Sequence, residues 1–309
     1  MKVSLVTTVK DARPHIEDFL ASLRAQTRQP DEVIVVDGGS TDGTWEIVEA
    51  AEGIQALSEP GANIARGRNL AIRAAAHEVI AVTDADCVLD AEWLRNLLSP
   101  IEAGADVSAG FYRAIATSPL TVWSSAAIPE RDEVRPGWMP SSRSIAFKRE
   151  AFDTAGGYPE WLDLGEDMFL DRRFVQTGAR FDLAPDAVVE WRPRPTMAAT
   201  WRQYAGYAAG DAIAGMYPER HLIRFGVYGS LVAALVTRSR WLVSLAALGG
   251  IAYGRRPIRR AWHRLEGRPG ARAAALVGVP LMMAFIDLAK MWGYVRGRSR
   301  AGREIPYEP

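Results

Sequence analysis

Asp84 and Asp86 stand one residue apart at the end of the run Val79-Ile80-Ala81-Val82-Thr83. A short apolar run of this kind reads as a fully buried parallel strand. Both carboxylates then lie at its carboxyl end, the edge at which open α/β sheets take ligands. Paired hard oxygen donors there suit Mg²⁺ or Mn²⁺, and such a cation suits a diphosphate. An Asp-x-Asp alone is short and common, and the same residues could start a turn or cap the helix near Ala91. Other residues bear on that choice. Asp37 ends a second apolar run, Val33-Ile34-Val35-Val36, and opens the loop Gly38-Gly39-Ser40-Thr41-Asp42-Gly43-Thr44. Glycines and short polar side chains suit a backbone that approaches a ligand closely. Arg66 and Arg68 start a helix that runs to about Ala76; they can serve a phosphate or simply face solvent. Glu166 and Asp167 open a helix over 168–176, where acids are stabilised by the dipole and N-capping explains them equally well.

The elements that position these residues follow in chain order. Val3–Val9 reads as a first strand, and Pro14 opens a helix carrying Ile16, Phe19, Leu20 and Leu23 at helical spacing. Strand and helix then alternate through residue 90, the signature of a parallel sheet with right-handed crossovers. A helix over 91–101 and a strand over 106–111 follow. From Arg113 to Pro140 the pattern weakens: Pro119, Pro129, Pro136 and Pro140 with Trp123 and Trp138 suggest an irregular, aromatic-lined binding loop. A strand over 144–147, a helical turn over 149–154 and a last short strand at Val188-Val189 complete the body, followed by Arg192 and Arg194. The helix containing Trp201-Arg202-Gln203-Tyr204 carries on past Tyr207.

Formal net charge is zero over 309 residues, but the halves differ. Residues 1–221 hold 22 Lys and Arg against 33 Asp and Glu, a net −11; residues 222–309 hold 15 against 4, a net +11. The basic tail points to an anionic partner, and apolar runs interleaved with its arginines favour lipid over nucleic acid. The single cysteine, Cys87, excludes an internal disulfide framework and reads as a small buried thiol. The four histidines lack zinc spacing, and Met1–Val6 lacks the long apolar region of a signal peptide, so the catalytic body is expected in the cytoplasm.

Together these positions resemble the family 2 glycosyltransferases over residues 3–215. Residues 33–44 resemble that family's IVVDDGSTDGT segment, Asp84-Ala85-Asp86 its D-x-D, Gly67-Arg68-Asn69 its A-R-N, and Gly156-Gly157-Tyr158 through Glu166-Asp167 its GGF…ED. The resemblance implies a GT-A nucleotide-sugar-binding fold, an α/β body with a Rossmann-like mixed, mostly parallel sheet flanked by helices, ahead of a C-terminal helical, membrane-associating region. It sets domains of 1–221 and 222–309. It implies a nucleoside-diphosphate sugar as donor, Mg²⁺ or Mn²⁺ as cofactor, and inversion at the anomeric carbon. Asp37 would hold the nucleoside, Asp84 would contact the ribose or base side, Arg68 would contact the nucleotide, and Asp86 would bind the metal. Thr8, Arg192 and Arg194 would complete the donor site. Asp167 would be the catalytic base, with Trp138, Trp161 and Glu166 on the acceptor side. Two departures stand out. Asp11 sits where the family favours asparagine after the first strand, and Glu190-Trp191-Arg192 replaces a downstream histidine. Arg192 or Arg194 would then bind the diphosphate instead.

The tail carries three apolar runs, Phe225–Val236, Trp241–Tyr253 and Ala273–Ile286, each shorter than the ~20 residues a spanning helix needs. Arg255, Arg256, Arg259, Arg260, Arg264, Arg268 and Arg272 separate the last two, and Arg296, Arg298, Arg300 and Arg303 follow. A hairpin of the first two runs plus an interfacial third keeps both arginine clusters on the cytoplasmic face of the cell membrane, against anionic lipid. A soluble helical appendage is the alternative. The expected acceptor is lipid-linked or a cell-surface glycan. Two other functions remain open: a nucleotidyltransferase of related topology, whose glycine- and lysine-rich loop after the first strand is missing here, and a non-catalytic, membrane-tethered nucleotide-sugar-binding protein.

Overall fold

The computed structural model describes residues 1–135 and 137–301; Pro136 and Arg303 lie outside them. The chain forms two compact units, residues 1–115 with 131–192, and residues 116–130 with 193–309.

The first unit is built on an eight-stranded sheet of order β3-β2-β1-β4-β7-β6-β8-β5. Its strands are β1 (Val3–Val9), β2 (Glu32–Asp37), β3 (Gln55–Ser58), β4 (Val79–Val82), β5 (Cys87–Leu89), β6 (Val107–Ala114), β7 (Ile145–Lys148) and β8 (Phe181–Trp191). Four of its seven pairings are parallel, so the sheet is mixed and mostly parallel, as the strand–helix alternation predicts. The runs that read as buried strands are buried: Leu5, Val6, Ile34, Val35, Ile80, Ala81 and Val82 are wholly inaccessible. Parallel β1, β2 and β4 end on one edge, with Val9 level with Asp37 and Val6 level with Val82. That places Asp37 and Asp84 at the carboxyl ends of the two strands that flank β1. Helices α1 (Ile16–Arg24), α2 (Thr44–Glu49), α3 (Ile64–Ala74), α4 (Trp93–Glu102), α6 (Arg149–Ala155) and α7 (Glu166–Gln176) flank the sheet. Phe147, Phe152, Tyr158 and Phe174 form an aromatic core beside β4 and β7.

Two expectations change here. The segment 113–140 is not irregular throughout: Ser118 and Thr121 form a capping box for helix α5 (Pro119–Ser125), in which Pro119 occupies the first turn. Proline is favoured there because its missing N–H would be unbonded anyway. The last strand is also much longer than Val188-Val189. It crosses Pro185 because the β6–β8 register shifts between Ala109 and Phe111, and a bulge tolerates a residue that cannot donate.

The second unit contains α5, α8 (Met197–Ile213), α9 (Pro218–Thr237), α10 (Arg240–Arg264) and α11 (Pro269–Arg298). Its boundary therefore falls before α8, where the sequence division at 221/222 does not. Close packing explains this: a Cβ on Gly293 or Gly297 of α11 would collide with the backbone of Ala205 or Ala209 of α8. Val279, Met282, Met283 and Ile286 of α11 join Val122 of α5 and Ala261 of α10 in one buried cluster. The helices are 20, 25 and 30 residues long, longer than the apolar runs. α11 continues through Asp287 because that carboxylate accepts from Arg224 Nε at 2.8 Å. Among the described residues, α11 alone is long and apolar enough to cross a membrane, with 44% of its most apolar window buried inside the protein.

Candidate active site

The loops after β1 and β2 are laced together. Asp37 is buried, and its Oδ1 accepts from the backbone N–H of Gly39 at 2.7 Å and of Ser40 at 2.8 Å, while Oδ2 accepts from Ser40 Oγ at 2.5 Å. Asp11 adopts a left-handed φ of 50°, a conformation that Asn and Asp tolerate better than most residues. From there its Oδ1 accepts from Thr41 N at 2.8 Å, and its own N–H donates to Ser40 Oγ at 2.9 Å. Aspartate thus serves the turn at the position where asparagine was expected.

Arg68 is the centre of the site. A Cβ at Gly67 would lie 2.7 Å from Thr8 Cγ2, so only glycine lets α3 approach the end of β1 this closely. The Arg68 side chain is 3% exposed; it donates from Nη2 to Asp84 Oδ1 at 2.5 Å and from Nη1 to Glu166 Oε1 at 2.8 Å. Its guanidinium also lies 5.2 Å from the Tyr158 ring centroid. The next residue, Asn69, ties down the glycine loop: Nδ2 donates to the Tyr158 carbonyl and to Glu160 Oε1, both at 2.9 Å, and Oδ1 accepts from Tyr158 N at 3.0 Å. Arg68 therefore joins the Asp-x-Asp loop to the start of α7, while Asn69 fixes the glycine loop to α3.

Glu166 and Asp167 lie within the first turn of α7, two residues earlier than the expected start. Burial pushes the Glu166 carboxyl up to about 7, the Asp167 charge adds to that, and Arg68 opposes it. Asp167 is partly exposed, and its Oδ1 accepts from Met168 N at 2.8 Å. One turn further, the Asp171 carboxyl is buried and pushed well above the usual range, by burial first and the Asp167 charge second.

A second cation reaches the same loop. Arg143 Nε lies 3.5 Å from Asp84 Oδ2, with its guanidinium 5.0 Å from the Trp191 ring and 5.6 Å from the Tyr112 ring. The Trp138 ring centroid lies 6.2 Å from that of Tyr112, adding to an aromatic wall. Asp84 is thus held by two arginines. Asp86 is partly exposed on the same loop, next to the buried Cys87, whose thiol is pushed up chiefly by burial. Among the described residues no three His, Cys, Asp or Glu side chains gather into a metal cage. Asp86 nevertheless fits a Mg²⁺-like cation, which typically takes one or two carboxylates and completes its shell with substrate phosphates and water.

The structure brings Arg68, Asp84 and Glu166 into direct contact, with Asp167 beside them and Thr8 and Asp37 on neighbouring strand ends. Arg68 and Glu166 face inward, bonded to each other, where the sequence reading expected ligand contacts. Trp161 packs edge-on against Phe169 at 5.5 Å, and Arg192 Nη2 pairs with Asp18 Oδ2 at 2.6 Å. Arg194 belongs to the helical unit. Sequence reading missed Arg143 and Tyr112, and quoted Tyr158 only within the glycine motif. Arg143 sits in Ser141-Ser142-Arg143-Ser144, just before β7, and only its place at a strand end could have flagged it.

Comparison with known proteins agrees with this geometry. The family model described as glycosyl transferase family 2 matches residues 4–157. The O-antigen chain rhamnosyltransferase RfbN of Salmonella typhimurium is 27% identical over 207 residues, 61% of this chain and 66% of that protein. An N-acetylglucosaminyl-diphospho-decaprenol L-rhamnosyltransferase of Mycobacterium tuberculosis is 29% identical over 219 residues, 57% of this chain and 71% of that one. The chain spans just under two thirds of RfbN and, at 65%, of the succinoglycan biosynthesis protein ExoA of Rhizobium meliloti. Among solved structures, the mannosyltransferase PcManGT of Pyrobaculum calidifontis, in complex with GDP-Man and Mn²⁺, superposes with a TM-score of 0.56 at 22% identity, over 96% of this chain and 86% of that one. S. aureus TarS in complex with UDP-GlcNAc superposes with a TM-score of 0.57 at 18% identity, over 97% and 91%. These likenesses give the sheet unit the GT-A glycosyltransferase fold, and the chain belongs to glycosyl transferase family 2.

Proposed function

We propose that this chain is an inverting, metal-dependent glycosyltransferase that moves a sugar from a nucleoside-diphosphate sugar to a hydroxyl of a lipid-linked or cell-surface glycan acceptor. The observation that carries this reading is the joining, through Arg68, of the Asp-x-Asp loop after β4 to the two acids that open α7. One loop offers a carboxylate for a cation, and the helix start offers a carboxylate for a proton. Names of relatives that act in O-antigen synthesis or on a diphospho-decaprenol support the acceptor class.

Asp86 would hold the cation, which when bound supplies charge neutralisation at the leaving diphosphate. Asp37 and Asp11 hold the β1 and β2 loops in the shape that receives the nucleoside, with Thr8 beside them. Arg68 and Arg143 fix Asp84, and Arg143 adds positive charge where the diphosphate would lie. Asp167, partly exposed and beside a raised Glu166, takes the proton of the acceptor hydroxyl as its oxygen attacks the anomeric carbon. The aromatic wall of Trp138 and Tyr112 offers a face on which a sugar ring can pack. We place Trp161 and Glu166 on the acceptor side and Arg192 on the donor side as second-line supports.

The membrane-associating part is the α9–α10 hairpin, at the cytoplasmic face. Its apolar residues point outward: Val236 is 78% exposed, Trp241 88% and Ile251 69%. Such a face, followed by Arg255, Arg256 and Arg259, matches insertion among anionic headgroups. The test is calorimetry of UDP and GDP binding with Mn²⁺, joined to a turnover assay over a panel of nucleotide sugars. Wild type is expected to bind only with the cation and to release nucleoside diphosphate; Asp86→Asn is expected to do neither. Equal nucleotide binding by Asp86→Asn, with or without chelator, would overturn the assignment.

A further inference from the structure

The helical unit holds a cavity of about 620 Å³ between α10, α11 and the end of α5. Four of its lining residues are cationic: Arg255, Arg256, Arg260 and Lys290. Ala252, Met283 and Ile286 give it an apolar wall. Arg255 and Arg256 are exposed and rim the opening, whereas Arg260 is buried and fixed by donating from Nη1 to the Ala126 carbonyl at 3.0 Å. The acids nearby are outnumbered by these four cations. Asp287 accepts from Arg224 Nε at 2.8 Å and from Tyr228 OH at 3.3 Å, and Glu130 pairs with Arg264 at 2.7 Å. The cavity therefore keeps a positive excess.

Its position matters as much as its charge. It opens where α10 changes character, after the exposed apolar stretch that ends at Tyr253 and before the arginines that begin at Arg255. On a helix lying against a bilayer, that switch marks the headgroup level. Guanidinium groups are the side chains of choice for phosphate, because their fork matches its oxygens. A bare anion has no use for the apolar wall, and an uncharged chain has no use for four cations. The volume falls in the range that encloses a drug-sized ligand.

We propose that this cavity takes the phosphate or diphosphate head and first carbons of a single-chain lipid. The inference rests on the reading that the acceptor is lipid-linked. The test uses the full chain in a neutral detergent, with farnesyl diphosphate as probe and inorganic pyrophosphate, farnesol and phosphatidylglycerol vesicles as comparators. Farnesyl diphosphate is expected to bind at least tenfold tighter than pyrophosphate or farnesol and to resist displacement by the vesicles. The double variant Arg255→Gln/Arg256→Gln, whose exposed side chains leave the melting temperature unchanged, is expected to weaken that binding at least tenfold. Lys290→Gln tests the opposite wall and is expected to weaken it as well.

Equal affinity for pyrophosphate would make the cavity a plain anion site and overturn the proposal. Displacement by phosphatidylglycerol would assign it to bilayer lipid and overturn it too, as would undiminished binding by the double variant. If farnesyl diphosphate fails to bind while nucleotide sugar is still turned over, the cavity assignment falls and the proposed function stands. If it binds and no donor is turned over, the reverse holds.

Discussion

The two units of this chain handle large apolar side chains in opposite ways. In the sheet unit the apolar side chains are inside, and the buried charges are tied together: Arg68, Asp84 and Glu166 form one network at the carboxyl edge of the sheet. In the helical unit the apolar side chains of α11 are inside, but large apolar side chains on α9 and α10 are outside, with Leu245 at 66% and Leu248 at 65% exposure. Burying charge is costly unless it is paired, so the sheet unit maintains its network for what it presents at the edge. Exposed leucine and tryptophan side chains at this density mark an interaction surface, and the occupant proposed for it is a membrane.

Four experiments probe this contrast, in descending order of effect. Asp167→Asn keeps the shape of the α7 start and removes the proposed base. Turnover is expected to fall about 10²–10⁴-fold, with Mn²⁺-dependent nucleotide binding unchanged by calorimetry. A smaller loss than tenfold would remove Asp167 from that role. Arg68→Ala leaves buried Glu166 without its cation and Asp84 with Arg143 alone, and breaking a buried pair in this way costs about 3–5 kcal/mol. Urea unfolding should show it; a change below 1 kcal/mol, within the range of an exposed ion pair, would mean that the network does not organise the edge.

Leu245→Lys with Leu248→Lys addresses the helical unit. Surface changes away from packing usually stay within about 0.5 kcal/mol, so stability should hold while sedimentation with phosphatidylglycerol vesicles is lost. Persisting sedimentation would show that the hairpin is not the attachment site. The smallest effect concerns pH. Glu166 sits near 7 in the fold against an ordinary 4.5, so the folded state holds its proton where the unfolded chain has released it. Its contribution to stability is full below about 4.5 and is lost as pH rises through about 7. Buried Asp171, also raised, adds in the same direction. Melting temperatures at pH 5 and pH 7.5 should therefore differ less in Glu166→Gln than in wild type; an unchanged difference would contradict the shift.

Legibility in the sequence followed the same divide. The all-apolar strands β1, β2 and β4 and the acids at their ends were readable, because a strand buried on both faces announces itself by composition. Edge strands β3 and β5, four and three residues long, carry no such pattern. β8 was cut short in reading because Asp182, Pro185 and Asp186 look like a turn, and only its bulged pairing with β6 keeps it extended. α5 was hidden by Pro119, which reads as a breaker but sits at a capped first turn. In the site, Asp84, Glu166 and Arg68 were named singly. Their mutual bonds were invisible because Arg68 and Glu166 are 98 residues apart in sequence. Arg143 was missed for the same reason: its partners, Asp84, Tyr112 and Trp191, come from three separate elements.

The sheet edge is proposed to transfer a sugar with inversion, using Asp86 for a cation and Asp167 for a proton. The most direct measurement is nuclear magnetic resonance of both products, formed by the full chain with Mn²⁺, a panel of nucleotide sugars and a lipid-linked acceptor fraction. The account predicts a nucleoside diphosphate as leaving group and a glycoside whose anomeric configuration is opposite to that of the donor. A retained configuration, or pyrophosphate in place of nucleoside diphosphate, would contradict it.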